Sequence, residues 1–299
     1  MTESSVINHQ SPVVAEGLRI DHHKLLFHVD RVSEWLKGQR IYPIYMEVSP
    51  AGSCNHRCVF CGLDFMGYKP RFLDVDLLKT RLSEMGTLGL KSIMFAGEGE
   101  PFLHRHMVEI LLYAKEQAGI DVALTTNGVL MTPEVSERIL GSTSWIKISI
   151  DAGTPQTYAA IHGTRPEDFT RLLRNIERAV GIRTKQGSSC TLGAQLLLLP
   201  DNRYEVVSLA ERCRDLGMDY LVVKPYSQHP QSHHRAFESV SYSGYDDLAE
   251  QLDQVRTAGF DVIFRRKAMQ KWDEGTRPYR CCLALPFWSY LDAGGNIWG

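Results

Sequence analysis

The 299-residue sequence lacks the long apolar runs, the charge excess and the leader that would assign it to several broad classes of protein. No stretch reaches the roughly 18 consecutive apolar residues of a membrane-spanning helix. The formal net charge of -2 gives no electrostatic footprint for nucleic acid or an anionic membrane. The start, Met1-Thr2-Glu3-Ser4-Ser5, has neither the basic residues nor the apolar segment of a secretory signal. We therefore expect a cytoplasmic globular protein without nucleic-acid or membrane partners.

The cysteine count also excludes a class of protein. Seven cysteines, an odd number, argue against a disulfide framework in a chain without an export signal. Three of them cluster as Cys54, Cys58 and Cys61. Such a cluster favours metal binding or redox chemistry, because unligated cysteine usually occupies isolated buried positions.

One pattern recurs from about residue 41: an amphipathic stretch, a glycine and then a short apolar run. Gly119-Ile120-Asp121-Val122-Ala123-Leu124 has close counterparts that begin at Gly217 and Gly259. The glycine is typical of a helix end, and the apolar run is typical of a buried parallel strand. No GxGxxG follows the first run, which removes the main indication of a dinucleotide-binding sheet. Six strands are predicted, at roughly 43–48, 91–96, 121–125, 145–150, 190–198 and 219–224, with a weaker seventh at 261–265.

Strands that alternate with helices predict an α/β fold, a partial (β/α)6-type parallel barrel. We expect this core to span residues 41–265. Residues 1–40 are more polar and are expected to form a short N-terminal appendage. Residues 266–299 are expected to form a separate C-terminal extension.

Polar or glycine-rich turns follow the predicted strands, at the edge where parallel barrels place their ligand sites. The candidates, in chain order, are Cys54, Gly97, Glu98, Gly99, Glu100, Asn127, Ser149, Asp151, Lys224, Tyr226 and His229. Because the carboxyl ends of parallel strands share one edge, we expect these residues to line one site.

The cysteine cluster has the spacing C-x3-C-x2-C within eight residues. Three thiolates this close together suit one soft metal centre. Three cysteines on a four-iron cluster would leave one iron open to a small molecule, since a closed cluster takes four ligands. Zinc held by Cys54, His56, Cys58 and Cys61 is the alternative, although these spacings are tighter than usual. Three unligated thiols in a loop are a further alternative.

Cys54-Asn55-His56-Arg57-Cys58-Val59-Phe60-Cys61 resembles the signature of radical S-adenosylmethionine (radical SAM) enzymes. The resemblance implies that the three cysteines hold a 4Fe-4S cluster whose open iron takes S-adenosylmethionine. It implies reductive cleavage to a 5′-deoxyadenosyl radical that removes hydrogen from a small-molecule or peptide substrate. It also implies an electron donor, a reductase or a flavodoxin or ferredoxin. The family uses a partial or full (β/α) barrel, in agreement with the repeat pattern.

The same resemblance assigns cofactor contacts to the other turns. Glu98-Gly99-Glu100-Pro101, after Gly97, is similar to the family's GGEP motif, whose backbone binds the methionyl amino group. Phe60 is expected near the adenine, and Ser149 near the ribose or the methionyl carboxylate. Asn127 and Asp151 are expected to line the cofactor pocket, while Lys224, Tyr226 and His229 are expected to contact substrate.

The C-terminal segment carries a second, weaker resemblance. Cys282, followed by Gly295, is similar to the start of the SPASM or twitch extension, which binds an auxiliary metal cluster. The chain stops where the next cysteine of that motif is expected, so we expect a truncated or degenerate extension. A non-catalytic iron–sulfur or zinc protein is the alternative to an enzyme, and cleavage of S-adenosylmethionine separates the two.

Overall fold

The computed structural model describes residues 24–276 and 279–298. It divides the chain into two units, Met1–Arg40 and Ile41–Gly299. In the first unit, a 3-10 turn at Lys24–His28 leads into helix α1, Val29–Leu36, whose residues all remain at least partly exposed. Residues 1–23 of the expected appendage lie outside the described part of the chain. No helix in the described part is long and apolar enough to cross a membrane.

The described part of the second unit contains nine strands, which belong to a single sheet. Their bounds are β1 Tyr45–Val48, β2 Ser92–Phe95, β3 Asp121–Thr126, β4 Trp145–Ser149, β5 Thr191–Leu197, β6 Tyr220–Lys224, β7 Asp261–Phe264, β8 Trp288–Leu291 and β9 Ile297–Trp298. The sheet order is β7-β6-β5-β4-β3-β2-β1-β8-β9. Strands β1 to β7 pair in parallel with their chain neighbours, and β8 pairs in parallel with β1. The predicted α/β fold is confirmed with a mostly parallel sheet, in which only β9 pairs antiparallel, with β8, among the described residues. Within these residues the sheet is open because β7 and β9 form its two edges.

Eight α-helices lie among the described residues of this unit, and most of them connect neighbouring strands. Their bounds are α2 Val75–Thr87, α3 Met107–Glu116, α4 Pro133–Ile139, α5 Pro155–His162, α6 Pro166–Gln186, α7 Val206–Asp215, α8 Asp246–Val255 and α9 Arg266–Glu274. Side chains cap the N-termini of several of these helices. The hydroxyls of Thr132 and Thr154 accept from the backbone N–H of the third residue of α4 and of α5. A proline follows each of these threonines, at a position where the helix needs no N–H donor.

Burial alternates along β1, β2 and β4. The fully buried residues of these strands include Val48, Ile93, Ile146 and Ile148. The residues that alternate with the buried ones in each strand are only half-buried. Side chains alternate between the two faces of a strand, so one face packs against the helices and the other remains partly accessible. The accessible inner face is therefore the surface on which polar side chains of the strands can meet a ligand.

Strand β8 lies in the segment that the sequence assigns to a separate extension. It pairs with β1 from Tyr45 opposite Trp288 to Val48 opposite Leu291. The short run Trp288-Ser289-Tyr290-Leu291 follows a single 3-10 turn, Leu285–Phe287, and not an amphipathic helix and a glycine. For that reason the recurring pattern did not predict a strand here. The structure places this strand in the same sheet as the core, while the boundary at residue 265 stays a prediction.

Candidate functional site

The three clustered cysteines lie in an irregular segment between β1 and α2, at the carboxyl edge of the sheet. All three thiols are half-buried. The loop is tightened by the N–H of Cys61, which donates to the carbonyl of Cys58 at 3.1 Å. The N–H of His56 points at the sulfur of Cys54, at 3.4 Å. The thiols thus line one curved piece of backbone, as the spacing predicts.

The electrostatics of these thiols favour a bound cation. Burial raises the pKa of Cys54 to about 11, and the charges of Glu100 and Cys61 add to this effect. Burial also raises the pKa of Cys58 well above its usual range, with the neighbouring Cys54 adding to the rise. Thiolates at Cys54 and Cys58 are therefore unstable side by side unless a metal centre compensates their charge.

Two histidines adjoin Cys58. Its sulfur lies 3.3 Å from Nδ1 of His162, and Nε2 of His162 lies 2.7 Å from the carbonyl oxygen of Ile150. Since a carbonyl only accepts, Nε2 carries the proton and Nδ1 faces the sulfur. The ring of His56 is buried, and neither of its nitrogens has a hydrogen-bond partner among the described residues. The sequence reasoning missed His162, which no local pattern connects to a cysteine 104 residues away.

The two metal hypotheses make different demands on this geometry. A single zinc ion with Zn–S bonds of about 2.3 Å requires sulfurs roughly 3.8 Å apart. Among the described residues, the one compact donor group is His56, Cys58 and His162, whose ligand atoms lie within 4.8 Å of one another. The three cysteines do not form such a compact group. This disfavours a single zinc ion held by all three cysteines, and Cys282, which is exposed, belongs to no compact donor group among the described residues.

The turn after β2 packs its backbone directly against the cysteine loop. A Cβ atom at Gly99 would lie 2.2 Å from the carbonyl oxygen of Ser53 and 2.3 Å from that of Ala51. Gly97 has φ +104, and a Cβ there would lie 2.5 Å from that of Ser49. Only glycine fits either position, so the two glycines bring this turn against the cysteine loop.

The carboxylate of Glu98 binds other groups of the protein itself. It accepts from Arg71 Nη2 at 2.8 Å and from the N–H of Ala293 at 2.7 Å, and it is completely buried. The backbone N–H of Glu98 donates to the hydroxyl of Ser49. Glu98 therefore ties the turn to the loops after β1 and β8.

Glu100 connects the same turn to β3. Its carboxylate accepts from the hydroxyl of Thr126 at 2.7 Å and from the N–H of Asn127 at 2.9 Å. Burial raises the pKa of Glu100 against the lowering effect of these hydrogen bonds. The side chain of Asn127 donates to Asn55 Oδ1 at 2.7 Å, which returns the network to the cysteine loop. The predicted residues of the second and third turns thus form one connected wall.

The end of β4 carries the next predicted residues. Ser149 is half-buried on the accessible face. Asp151 is fully buried with φ +54, and its Oδ1 accepts from the N–H of Leu197 at 2.6 Å. Burial raises the pKa of Asp151 to about 7, and its Oδ2 lies 3.3 Å from Nε2 of His162. Phe60 also meets His162, edge-on with ring centroids 5.8 Å apart.

The three predicted substrate residues lie at the end of β6 and after it, and their surroundings differ. The ammonium of Lys224 donates to Gln195 Oε1 at 3.0 Å on the inner face. Tyr226 is buried, and its N–H donates to the hydroxyl of Tyr242. His229 stacks on Phe65 of the cysteine loop, with ring centroids 4.8 Å apart. Of the three, Lys224 and His229 lie on accessible surface beside the site.

Comparison with known proteins matches residues 48–213 to the model of the radical SAM superfamily. The chain is 26% identical over 189 residues to a GTP 3',8-cyclase of Chlorobaculum tepidum, covering 62% of this chain and 55% of that protein. It is 23% identical over 220 residues to a probable GTP 3',8-cyclase of Methanocaldococcus jannaschii, covering 72% and 69%. The chain thus spans little more than half the length of the first relative.

A solved structure shares the fold. SuiB of Streptococcus suis, bound to S-adenosylmethionine, superposes with a TM-score of 0.65 at 18% identity, covering 91% of this chain and 64% of that one. At this identity the similarity concerns the fold alone.

Proposed function

Because this chain belongs to the radical SAM superfamily, we propose that Cys54, Cys58 and Cys61 hold its 4Fe-4S cluster for the cleavage of S-adenosylmethionine. Membership confirms the predicted class of enzyme and its two cofactors. When bound, the cluster would supply the electron for reductive cleavage of S-adenosylmethionine to methionine and a 5′-deoxyadenosyl radical, and that radical would remove hydrogen from a substrate. The remaining roles belong to the chain's own side chains and backbone.

The observation that carries the proposal is the close approach at Gly99. The backbone of this turn lies against the carbonyls of Ala51 and Ser53, immediately before Cys54. The N–H of Glu100 donates to the carbonyl of Ser53 at 2.9 Å, which fixes the contact. The turn and the cysteine loop therefore move as one body, and a cofactor held by both is oriented by both.

We assign the cofactor contacts along this wall. The backbone of Gly97, Glu98, Gly99 and Glu100 takes the methionyl amino group, while the two carboxylates brace the turn from behind. Phe60 lies beside the adenine. Ser149, Asn127 and Asp151 line the ribose and carboxylate side.

The segment after β6 supplies the cover that radical chemistry needs. The hydroxyl of Ser232 donates to the carbonyl of Cys61 at 3.3 Å, and His229 stacks on Phe65. A primary radical must form in a closed pocket, because solvent or a wrong hydrogen donor would quench it. Tyr226 and His229 belong to this cover and are assigned to the substrate side, with Lys224 below them.

The substrate is a small molecule or a peptide, and a reductase or a flavodoxin or ferredoxin supplies the electron. GTP is the first candidate to assay, because the similar proteins are named GTP 3',8-cyclases. We further propose that residues 41–265 form the catalytic core. Residues 1–40 are the appendage, and residues 266–299, with Cys282 as a ligand of an auxiliary metal, form the extension.

The test is the formation of 5′-deoxyadenosine by the anaerobically reconstituted protein with dithionite and S-adenosylmethionine. We expect product from the wild type and from Cys213→Ala, whose thiol is buried in α7 away from the loop. We expect none from Cys58→Ala, together with loss of bound iron. A protein that keeps its cluster and forms no product would instead be a non-catalytic iron–sulfur protein, and stoichiometric zinc without iron would point to a zinc protein.

A further inference from the structure

Two lysines project onto the inner face of the sheet, where the cofactor wall ends. In β4, Ile146 and Ile148 are fully buried against the helices, so Lys147 between them lies on the opposite, half-buried face. In β6, Val223 is fully buried, so Lys224 lies on that same inner face. A lysine in the middle of a parallel strand is costly, since the parallel strand buries most of its side chains.

Neither lysine is neutralised by a partner. The ammonium of Lys224 donates to the neutral amide of Gln195, and that of Lys147 lies 5.6 Å from the ring centroid of Trp145. Within residues 24–276 and 279–298, neither ammonium lies within ion-pair distance of a carboxylate. The direct contacts of the two ammonium groups are therefore a neutral amide and an aromatic ring.

Charged groups of both signs act on these lysines from neighbouring strands. Glu47 of β1 raises the pKa of both lysines, and its carboxylate accepts from the hydroxyl of Tyr45 at 3.1 Å. Arg265, directly after β7, adds a further positive charge. Asp151 acts on Lys224 from the end of β4.

Burial and neighbouring charges lower the pKa of both lysines. Burial lowers the pKa of Lys147 to about 8, and the charge of Lys224 lowers it further. Burial also lowers the pKa of Lys224, with Arg265 adding to the effect. Like charges held together in a partly dry space disfavour the protonated state, and an anion placed between them would restore it.

We propose that Lys147, Lys224 and Gln195 bind an anionic group of the substrate, a carboxylate or a phosphate, on the inner face of the sheet. The inference rests on the proposed function and names the substrate class of the same site. Because Gln195 Oε1 accepts from Lys224, the amide NH2 of Gln195 is left to donate to an oxyanion beside the two ammonium groups.

The register of the sheet places this anion site next to the cofactor. Gln195 is the register partner of Ser149, the residue assigned to the cofactor side. Lys147 lies two residues before Ser149 in β4, and its side chain is therefore on the same face of the strand. An anionic group held here anchors the substrate below the carboxyl edge, so that the rest of the substrate extends toward the cofactor.

The first test measures the acylation rate of individual lysines by peptide mass spectrometry, on the cluster-loaded full chain under anaerobic conditions. Inorganic phosphate, acetate and chloride are compared at equal ionic strength. We expect phosphate or acetate, but not chloride, to slow acylation of Lys147 and Lys224 by about tenfold at saturation. Exposed Lys185 of α6 is expected to react at the same rate in all three.

The two anions distinguish the sources of the oxyanion. Protection by phosphate alone identifies a phosphorylated substrate, and protection by acetate alone identifies a carboxylate. Equal protection by chloride, or an unaffected rate at either lysine, would overturn the proposal.

Variants supply a second readout. Lys147→Met is expected to weaken anion protection at Lys224 by about tenfold, Lys147→Arg to retain it, and Lys185→Met to leave it unchanged. Thermal unfolding shows that each variant is folded. 5′-Deoxyadenosine formation by the wild type is measured separately. Its absence would refute the proposed function while anion protection still established the site.

Discussion

The carboxylate of Asp64 accepts the backbone N–H of His233 at 3.0 Å, although 169 residues separate the two in the chain. It also accepts the N–H of His234 at 3.0 Å. Burial alone would raise the pKa of Asp64, but the two N–H donors hold it below its usual range. One charged side chain therefore attaches the segment after β6 to the cysteine loop, and the cover of the site depends on it.

Replacing Asp64 by alanine is expected to release this cover. Two backbone donors lose a buried acceptor, so we expect a loss of about 1–3 kcal/mol in local stability. Limited proteolysis should cleave residues 226–245 faster in Asp64→Ala than in the wild type. Asp201→Ala, at an exposed turn, is the control. Equal cleavage rates in the two variants would show that Asp64 does not hold the cover.

The close approach at Gly99 predicts a strong contrast between two glycine substitutions. In Gly99→Ala the new methyl group meets two backbone carbonyls, which cannot move as a flexible side chain can. We expect a loss of several kcal/mol in unfolding free energy, about 3 kcal/mol or more, together with lower iron content after reconstitution.

Gly181→Ala provides the matched control for that substitution. Gly181 lies within α6, and a Cβ there meets nothing within 4 Å. Alanine should stabilise the helix by about 0.5–1 kcal/mol without changing iron content. Chemical denaturation of both variants gives the two changes directly. A Gly99→Ala protein as stable as the wild type would contradict the packing described here.

The sequence predicted those features that are local in the chain. The spacing of Cys54, Cys58 and Cys61 is contained within eight residues, and the recurring glycine and apolar run marked β1 to β7 one at a time. Features formed by distant residues left no such trace. His162 beside Cys58, and His233 on Asp64, are joined only by the path of the chain in three dimensions.

Strand β8 and the position of Lys147 were also not predicted, and the two cases have separate causes. Strand β8 was missed because α9 and Gly275 end well before it and not directly before it, although its pairing with β1 is as regular as that of β2. Lys147 was not predicted as a site residue, because a single lysine within an apolar strand does not by itself indicate a site. Only the burial of both neighbouring isoleucines shows on which face it lies.

The ion pair of Arg71 with Glu98 is expected to behave as a coupled unit. Arg71→Met leaves a fully buried carboxylate with a single N–H donor, whereas Arg71 itself is about one-third exposed and partly screened. After allowance for that screening, we expect the free energy of unfolding to fall by about 1–3 kcal/mol. The double variant Arg71→Met with Glu98→Gln should recover part of it, because no charge is then left buried. A double-mutant cycle by denaturation measures the coupling, and strictly additive losses would disprove it.

Glu205 gives the protein a specific dependence of stability on pH. Its carboxylate accepts from the N–H of Gly153 at 2.7 Å and from the hydroxyl of Thr157 at 2.6 Å, and so fixes the turn between Asp151 and α5. Burial raises the pKa of Glu205, but the hydroxyl of Thr157 and the N–H of Gly153 hold it below its usual range.

A folded-state pKa below the unfolded one means that stability is full above the unfolded value of about 4.3 and is lost as the pH falls through the folded value. Glu205→Gln should therefore be less stable than the wild type by about 1–2 kcal/mol at pH 7, and the two should converge in acid. Urea denaturation across this range tests the prediction, with Glu250→Gln on the exposed face of α8 as the control. A constant difference between Glu205→Gln and the wild type at every pH would mean that Glu205 stabilises the turn by its shape and not by its charge.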